Sequence, residues 1–165
     1  MQIIYKLKLD NKLQKFCIEN YPIEVELNTN YTAIDDKNNY DFYATDNDNK
    51  YLGVFVYNLD EYDNFSIENT LDNEIKYFEN TRDKFELVND KYIINTNDTT
   101  ITTMVYLGKK GDSARTIYMF STISFNKAEK YNIMIIQTCK EINYNKYKSE
   151  MLENLKNIRI INEEI

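Results

Sequence analysis

Five alternating segments between residues 85 and 139 follow one another with only turns between them. They are Phe85 to Val88, Tyr92 to Asn95, Thr99 to Leu107, Arg115 to Phe125 and Tyr131 to Cys139, and the turns are Asn89-Asp90, Asn97-Asp98, Gly108 to Asp112 and Asn126 to Lys130. A period of two marks a strand, and Asn, Asp and Gly are turn formers. A parallel neighbour would need a crossover of a dozen or more residues. These connections are too short for that, so the segments must pair as antiparallel hairpins.

The two longest segments say what surrounds the sheet. In 99–107 one face carries Ile101, Val105 and Leu107, the other Thr100, Thr102, Met104 and Tyr106. In 115–125 the faces are Ile117, Met119, Ile123 and Phe125 against Thr116, Tyr118, Phe120 and Thr122. A sheet wetted on one side shows charges there, and these second faces hold almost none. Both sides of the sheet are expected to be covered.

Two helices are available to cover them. After Ser66, a plausible N-cap, Ile67, Leu71, Ile75 and Phe78 recur at helical spacing with Glu68, Asp72 and Glu79 opposite, predicting an amphipathic helix over 67–81. Tyr144, Tyr147, Met151, Leu155 and Ile158 form the stripe of a second helix over 144–157, and an apolar tail, Ile158 to Ile161, follows. Upstream, Ile3 to Leu9 alternates with Lys6 and Lys8 on one side, the pattern of a guarded edge strand. Phe16 to Leu27 is broken at Tyr21-Pro22, and Tyr40 to Thr45 and Tyr51 to Leu59 read as further strands. Gly53 in the last of these marks a bulge or a close backbone approach. With 165 residues and no internal repeat or linker, residues 1–165 are expected to form a single α+β domain, one antiparallel sheet flanked by two amphipathic helices.

Composition removes whole classes of function. Without histidine there is no Ser-His-Asp or Cys-His unit, and the commonest transition-metal ligand is missing. Cys17 and Cys139 are too few for a four-thiolate site and too far apart for CxxC; they read as two buried thiols, and their pairing is left open. Asp46 to Asn49 lacks the Gly and Glu of a calcium loop, and Gly108 to Ser113 lacks phosphate-loop spacing and reads as a hairpin tip whose glycines supply positive φ. The pairs Glu24/Glu26 and Asp35/Asp36 and the trio Asp60/Glu61/Asp63 read as solvated acids. A net charge of −7 argues against nucleic acid, and no apolar run approaches the length of a membrane span. The opening Met1-Gln-Ile-Ile-Tyr-Lys contains no leader pattern, which predicts a cytoplasmic location, or an extracytoplasmic one if a leader has been removed.

The order of elements resembles a known superfamily. Strands lead through Asn28-Thr29-Asn30-Tyr31 to the strand at 51–59; a helix reading Ser-Ile-Glu-Asn-Thr-Leu-Asp-Asn-Glu-Ile follows, then Phe-Glu-Leu-Val-Asn-Asp-Lys-Tyr-Ile-Ile, long strands, and a terminal Tyr-Lys-Ser-Glu-Met-Leu-Glu-Asn-Leu-Lys-Asn-Ile helix. From about residue 16 to 161 this resembles the Mog/PsbP-like superfamily, which includes DcrB-like proteins and effector-associated secretion chaperones. The resemblance implies a three-layer α/β/α fold and a non-enzymatic role in binding another protein, without cofactor, metal or catalytic residues. It carries no residue-level motif across.

The expected function is therefore a small bacterial adaptor or chaperone for a secreted protein, binding a basic or partly apolar protein partner. The AT-rich coding bias implied by abundant Asn, Lys, Ile and Tyr suits a bacterial source. An immunity protein that neutralises a toxin and a carrier of a small apolar ligand are the alternatives. The candidate partner-binding residues are Met104, Tyr106, Tyr118 and Phe120, the semi-apolar strip that two helices would leave partly open.

Overall fold

The computed structural model describes residues 12–35, 40–47 and 49–161; the strand expected at residues 3–9 lies outside them. The described chain forms ten strands and two helices: β1 (Leu13–Cys17), β2 (Ile23–Asn28), β3 (Thr32–Ala33), β4 (Phe42–Asp46), β5 (Lys50–Asn58), α1 (Ile67–Thr81), β6 (Asp83–Asn95), β7 (Thr99–Lys109), β8 (Thr116–Phe125), β9 (Tyr131–Lys140), α2 (Tyr144–Lys156) and β10 (Ile158–Ile160). Seven strands build a large sheet in the order β3-β4-β5-β9-β8-β7-β6, antiparallel throughout. α1 carries the chain from β5 over one face to the far edge, and three hairpins then bring it back until β9 pairs with β5.

The expected single sheet is corrected in one respect. β1, β2 and β10 form a second, three-stranded antiparallel sheet, so the apolar tail after α2 is a strand. Ile23, Val25 and Leu27 on its inner side are fully buried. Together with Met151 and Leu155 of α2 they pack on Ile101, Val105, Met119, Ile123, Ile133 and Ile135 of the large sheet.

Two further readings change. Asn89-Asp90 is not a turn: β6 is one continuous strand that gains a residue over β7 in three places, between Asp83 and Glu86, Leu87 and Asn89, and Asn89 and Tyr92. Such bulges twist an edge strand away from unwanted pairing. Of the glycines near the β7–β8 turn, Gly111 has a positive φ of 58°, but Gly108 is buried within β7, where a Cβ would stand 2.8 Å from the Phe85 ring.

α2 is fastened by a polar seam that its apolar stripe does not reveal. Gln137 Nε2 on β9 donates to the Met151 carbonyl at 2.8 Å, and Asn154 Nδ2 donates to Gln137 Oε1 at 3.0 Å. Lys50, only 3% exposed, pairs with Glu150 of α2 and with Asp46 at 3.0 Å, and its amine lies 4.3 Å from the centre of the Tyr147 ring. Burial alone would lower the Lys50 pKa, but the two carboxylates outweigh it and hold the amine above the usual lysine range. Opposite Lys50, the buried Cys139 thiol is pushed up to about 11 by desolvation, which Lys50 partly opposes. Cys17 is exposed, against expectation, and both cysteines are free; it occupies an outward position of β1, whose exposure alternates.

Two tests follow from this packing. A Cβ on Gly53 would stand 2.4 Å from Cε1 of Tyr40, whose ring lies over the β5 backbone. Gly53→Ala is expected to cost about 1–3 kcal/mol in urea unfolding, and most of that cost should vanish in a Tyr40→Ala background. The Cys139 thiol ionises near 9.0 when unfolded and near 11 when folded, so the unfolded state sheds its proton first and stability falls as pH rises through this window. About 1 kcal/mol should be lost by pH 10 from this group, and the urea midpoint of Cys139→Ala should show a correspondingly shallower decline between pH 8 and 10.

Candidate functional site on the open sheet face

The face of the large sheet under α1 can be read row by row from the register. One row crosses Met104, Phe120, Ile136, Gly53 and Tyr43; the next crosses Leu87, Tyr106, Tyr118, Thr138 and Tyr51. Residues opposed on antiparallel strands share a face, so each row is a line of side chains beneath or beside α1. The helix begins where the sequence places it: Ser66 Oγ accepts from the Asn69 amide at 3.2 Å. Ile67, Leu71, Ile75 and Phe78 are its buried stripe, and they pack on Tyr118, Phe120, Met134 and Ile136.

This arrangement divides the four candidate residues. Phe120 is fully buried and Tyr118 is 5% exposed, both against Phe78 with ring centroids 5.2 Å away. Arg82, just past the helix, donates from Nε to the Tyr118 hydroxyl at 3.2 Å and lies 4.3 Å over the Phe78 ring. Met104 and Tyr106 are half-buried, on the strand next to the edge. The Tyr106 ring stacks on Phe85, 4.7 Å away and within 5° of parallel, and it meets Phe120 edge-on at 5.7 Å. Tyr118 and Phe120 are thus a rigid bed, while Met104 and Tyr106 are the part of the strip that reaches solvent.

Around that part the surface is apolar at the floor and acidic at the wall. Leu87 and Ile93 on β6 share the face of their partners Tyr106 and Thr102 and are 47% and 60% exposed. Glu68, Asp72 and Glu79 are exposed residues of α1, and their spacing of four and seven sets them along one side of the helix. Burial and then the charges of Glu79, Asp72 and Asp90 raise the Tyr106 phenol above its usual range, which puts carboxylates from both α1 and β6 around this one ring. Sequence reasoning found Met104 and Tyr106 from strand alternation, but it missed Leu87 and Ile93, because the bulges of β6 obscure which residues face the helix side.

On its other flank α1 carries Glu74, half-buried beside Tyr57. Desolvation raises the Glu74 carboxyl above its ordinary value, with Arg82 pulling the other way, and the Tyr57 phenol is pushed up to about 12 by burial and by Glu74. The folded state therefore holds the Glu74 proton more tightly than the unfolded state does. That contribution is present at low pH and is lost as pH rises through the raised value. Glu74→Gln is expected to raise Tm at pH 7, and the gain should disappear near pH 4, as thermal unfolding at the two pH values would show.

Among the described residues no group of three or more Cys, Asp or Glu could hold a metal ion, and no helix is long and apolar enough to cross a membrane. Side chains occupy the space between the sheet and each helix, Phe120 and Met134 under α1, Met119 and Ile135 under α2.

No family model matches the chain, and no curated protein matches its sequence. Solved structures do match. The solution structure of cyanobacterial PsbP from Synechocystis sp. PCC 6803 aligns with a TM-score of 0.68 at 13% identity, over 91% of this chain and 93% of its own. The Ran-binding protein Mog1p of Saccharomyces cerevisiae aligns at 0.59 and 8% identity, over 91% and 96%. LpqN of Mycobacterium tuberculosis, involved in cell envelope biogenesis, aligns at 0.55 and 8%, over 98% and 94%. The chain has the Mog/PsbP-like fold.

Proposed function

We propose that this chain is a non-enzymatic accessory protein that holds another protein on the open flank of α1, with Met104 and Tyr106 in contact with the partner and Tyr118 and Phe120 bracing them from beneath. The observation that carries this reading is the uncovered strip itself: Met104, Tyr106, Leu87 and Ile93 present apolar and aromatic surface beside the acidic side of α1. Exposed apolar surface next to ordered charge is characteristic of interaction sites. A partner with apolar anchors set among Lys and Arg would bury the first and pair with the second, and the net charge of −7 would speed its approach.

The solved structures with this fold support an accessory role, since one is a Ran-binding protein and another is involved in cell envelope biogenesis. In a bacterium the role becomes that of an adaptor or dedicated chaperone for a secreted protein. Cytoplasmic residence belongs to the same proposal, because such a chaperone meets its client before export.

A photo-reactive phenylalanine analogue in place of Tyr106 tests it. In the source cell it should cross-link to one basic protein, and Asp72→Lys with Glu79→Lys should abolish the adduct. Adducts that survive this charge reversal, or an equal yield of the same adduct from an analogue placed at Tyr77 on the outer side of α1, would count against this face.

A further inference from the structure

Away from this face, an open cleft of about 620 Å³ lies where the two sheets meet, between β10, the β6–β7 turn and the end of β8. Its cations are Lys127, Lys156 and Arg159, and Asp98 is the one acid among its lining residues. On a chain with 27 acidic and 20 basic residues, such a balance is the reverse of the whole. The floor is apolar: Phe125 and Ile158 are 4% and 1% exposed, and Ile160 lies half-buried beside them. Ile160 also lines a second cleft, of about 630 Å³, whose walls mix Tyr21, Pro22, Tyr131 and Ile161 with Asn20 and Lys130.

The cations are available to a ligand. Lys127 is exposed and belongs to no ion pair among the described residues. Arg159 stands 3.8 and 3.6 Å from Glu24 and Glu26, and Lys156 stands 3.9 Å from Glu153. These contacts are longer than hydrogen bonds, so an incoming acidic head competes with Glu24 and Glu26 for Arg159 and with Glu153 for Lys156. Lys156 also offsets the partial negative charge at the end of α2, which leaves Lys127 and Arg159 as the main anion contacts.

We infer that this cleft binds an amphiphilic anion, its acidic head held by Lys127 and Arg159 and its apolar body laid over Phe125, Ile158 and Ile160. The volume is within the range of small-molecule sites. Head and body are both needed: the cations alone would take any anion, and the floor alone any apolar molecule.

Chemical-shift mapping of the whole chain with sodium decanoate, 1-decanol and sodium acetate separates the contributions. Decanoate at low millimolar concentration should give saturable shifts in the amides of residues 96–99, 125–127 and 156–160, with decanol and acetate giving none at the same concentration. Lys127→Glu, a change at an exposed residue, should weaken decanoate about tenfold, equivalent to one charge contact. Equal shifts from decanol would overturn the anion requirement, equal shifts from acetate the apolar one, and shifts on α1 and β6–β7, or none with decanoate, would overturn the site. Arg159→Gln gives a second reading of the head contact, and it too should weaken decanoate; an unchanged affinity in both variants would overturn the assignment of the head. None of these outcomes depends on the protein-binding face.

Discussion

A seven-stranded sheet with two apolar faces must hide both, and the means available to each face are unequal. At about 4.8 Å between strands the sheet is roughly 29 Å wide, whereas a helix with its side chains covers about 10–12 Å. One face meets this demand with α2 and an entire second sheet, and its large side chains are buried almost completely. Among the described residues the other has α1 alone. That helix is spent on Tyr118, Phe120, Met134 and Ile136 in the middle of the sheet, so the flanks stay open. The candidate partner surface is therefore a consequence of covering a wide sheet with one narrow rod.

The closed face carries its own specificity device. Lys50, Glu150 and Asp46, with Gln137 and Asn154 between sheet and helix, replace apolar contact at the point where α2 docks. Such groups are costly to bury and become worse when any partner is missing. A helix that slid by a turn would strand several of them at once. Apolar packing of Met151 and Leu155 tolerates such sliding far better, so the polar seam is what selects one docking position. Correct placement of α2 in turn sets where β10 leaves it, and so where the basic cleft opens beside Arg159.

Much of this was legible before any coordinates. Ser66 and the 67–78 stripe specify α1 through capping and a 3.6 period, and the two-fold periods of 99–107, 115–125 and 131–139 specify β7 to β9. Short connections imposed antiparallel pairing, and the missing charges on both strand faces announced two-sided cover. Local signals failed where an element depends on a distant partner. β10 has three residues and β3 has two, too few for any period to register. The bulges of β6 break its alternation and imitate a turn. Thiols are usually buried, but on a strand the exposure of Cys17 depends on which face meets the core. Lys50 had no signature at all, since a lysine at the start of a strand looks like solvated surface until Glu150 arrives from a hundred residues away.

By itself the sequence determined the kind of domain and the two faces of each long strand, because period, turn chemistry and capping act within a few residues and need no knowledge of the rest. It also determined that histidine chemistry is absent and that the surface is acidic. The tertiary structure alone decided which part of the Met104, Tyr106, Tyr118 and Phe120 strip reaches solvent, that three cations gather at the junction of the two sheets, and that a lysine lies inside the core. Each of these is a relation between segments far apart in the chain, set by packing geometry and mutual desolvation, and no local pattern encodes it.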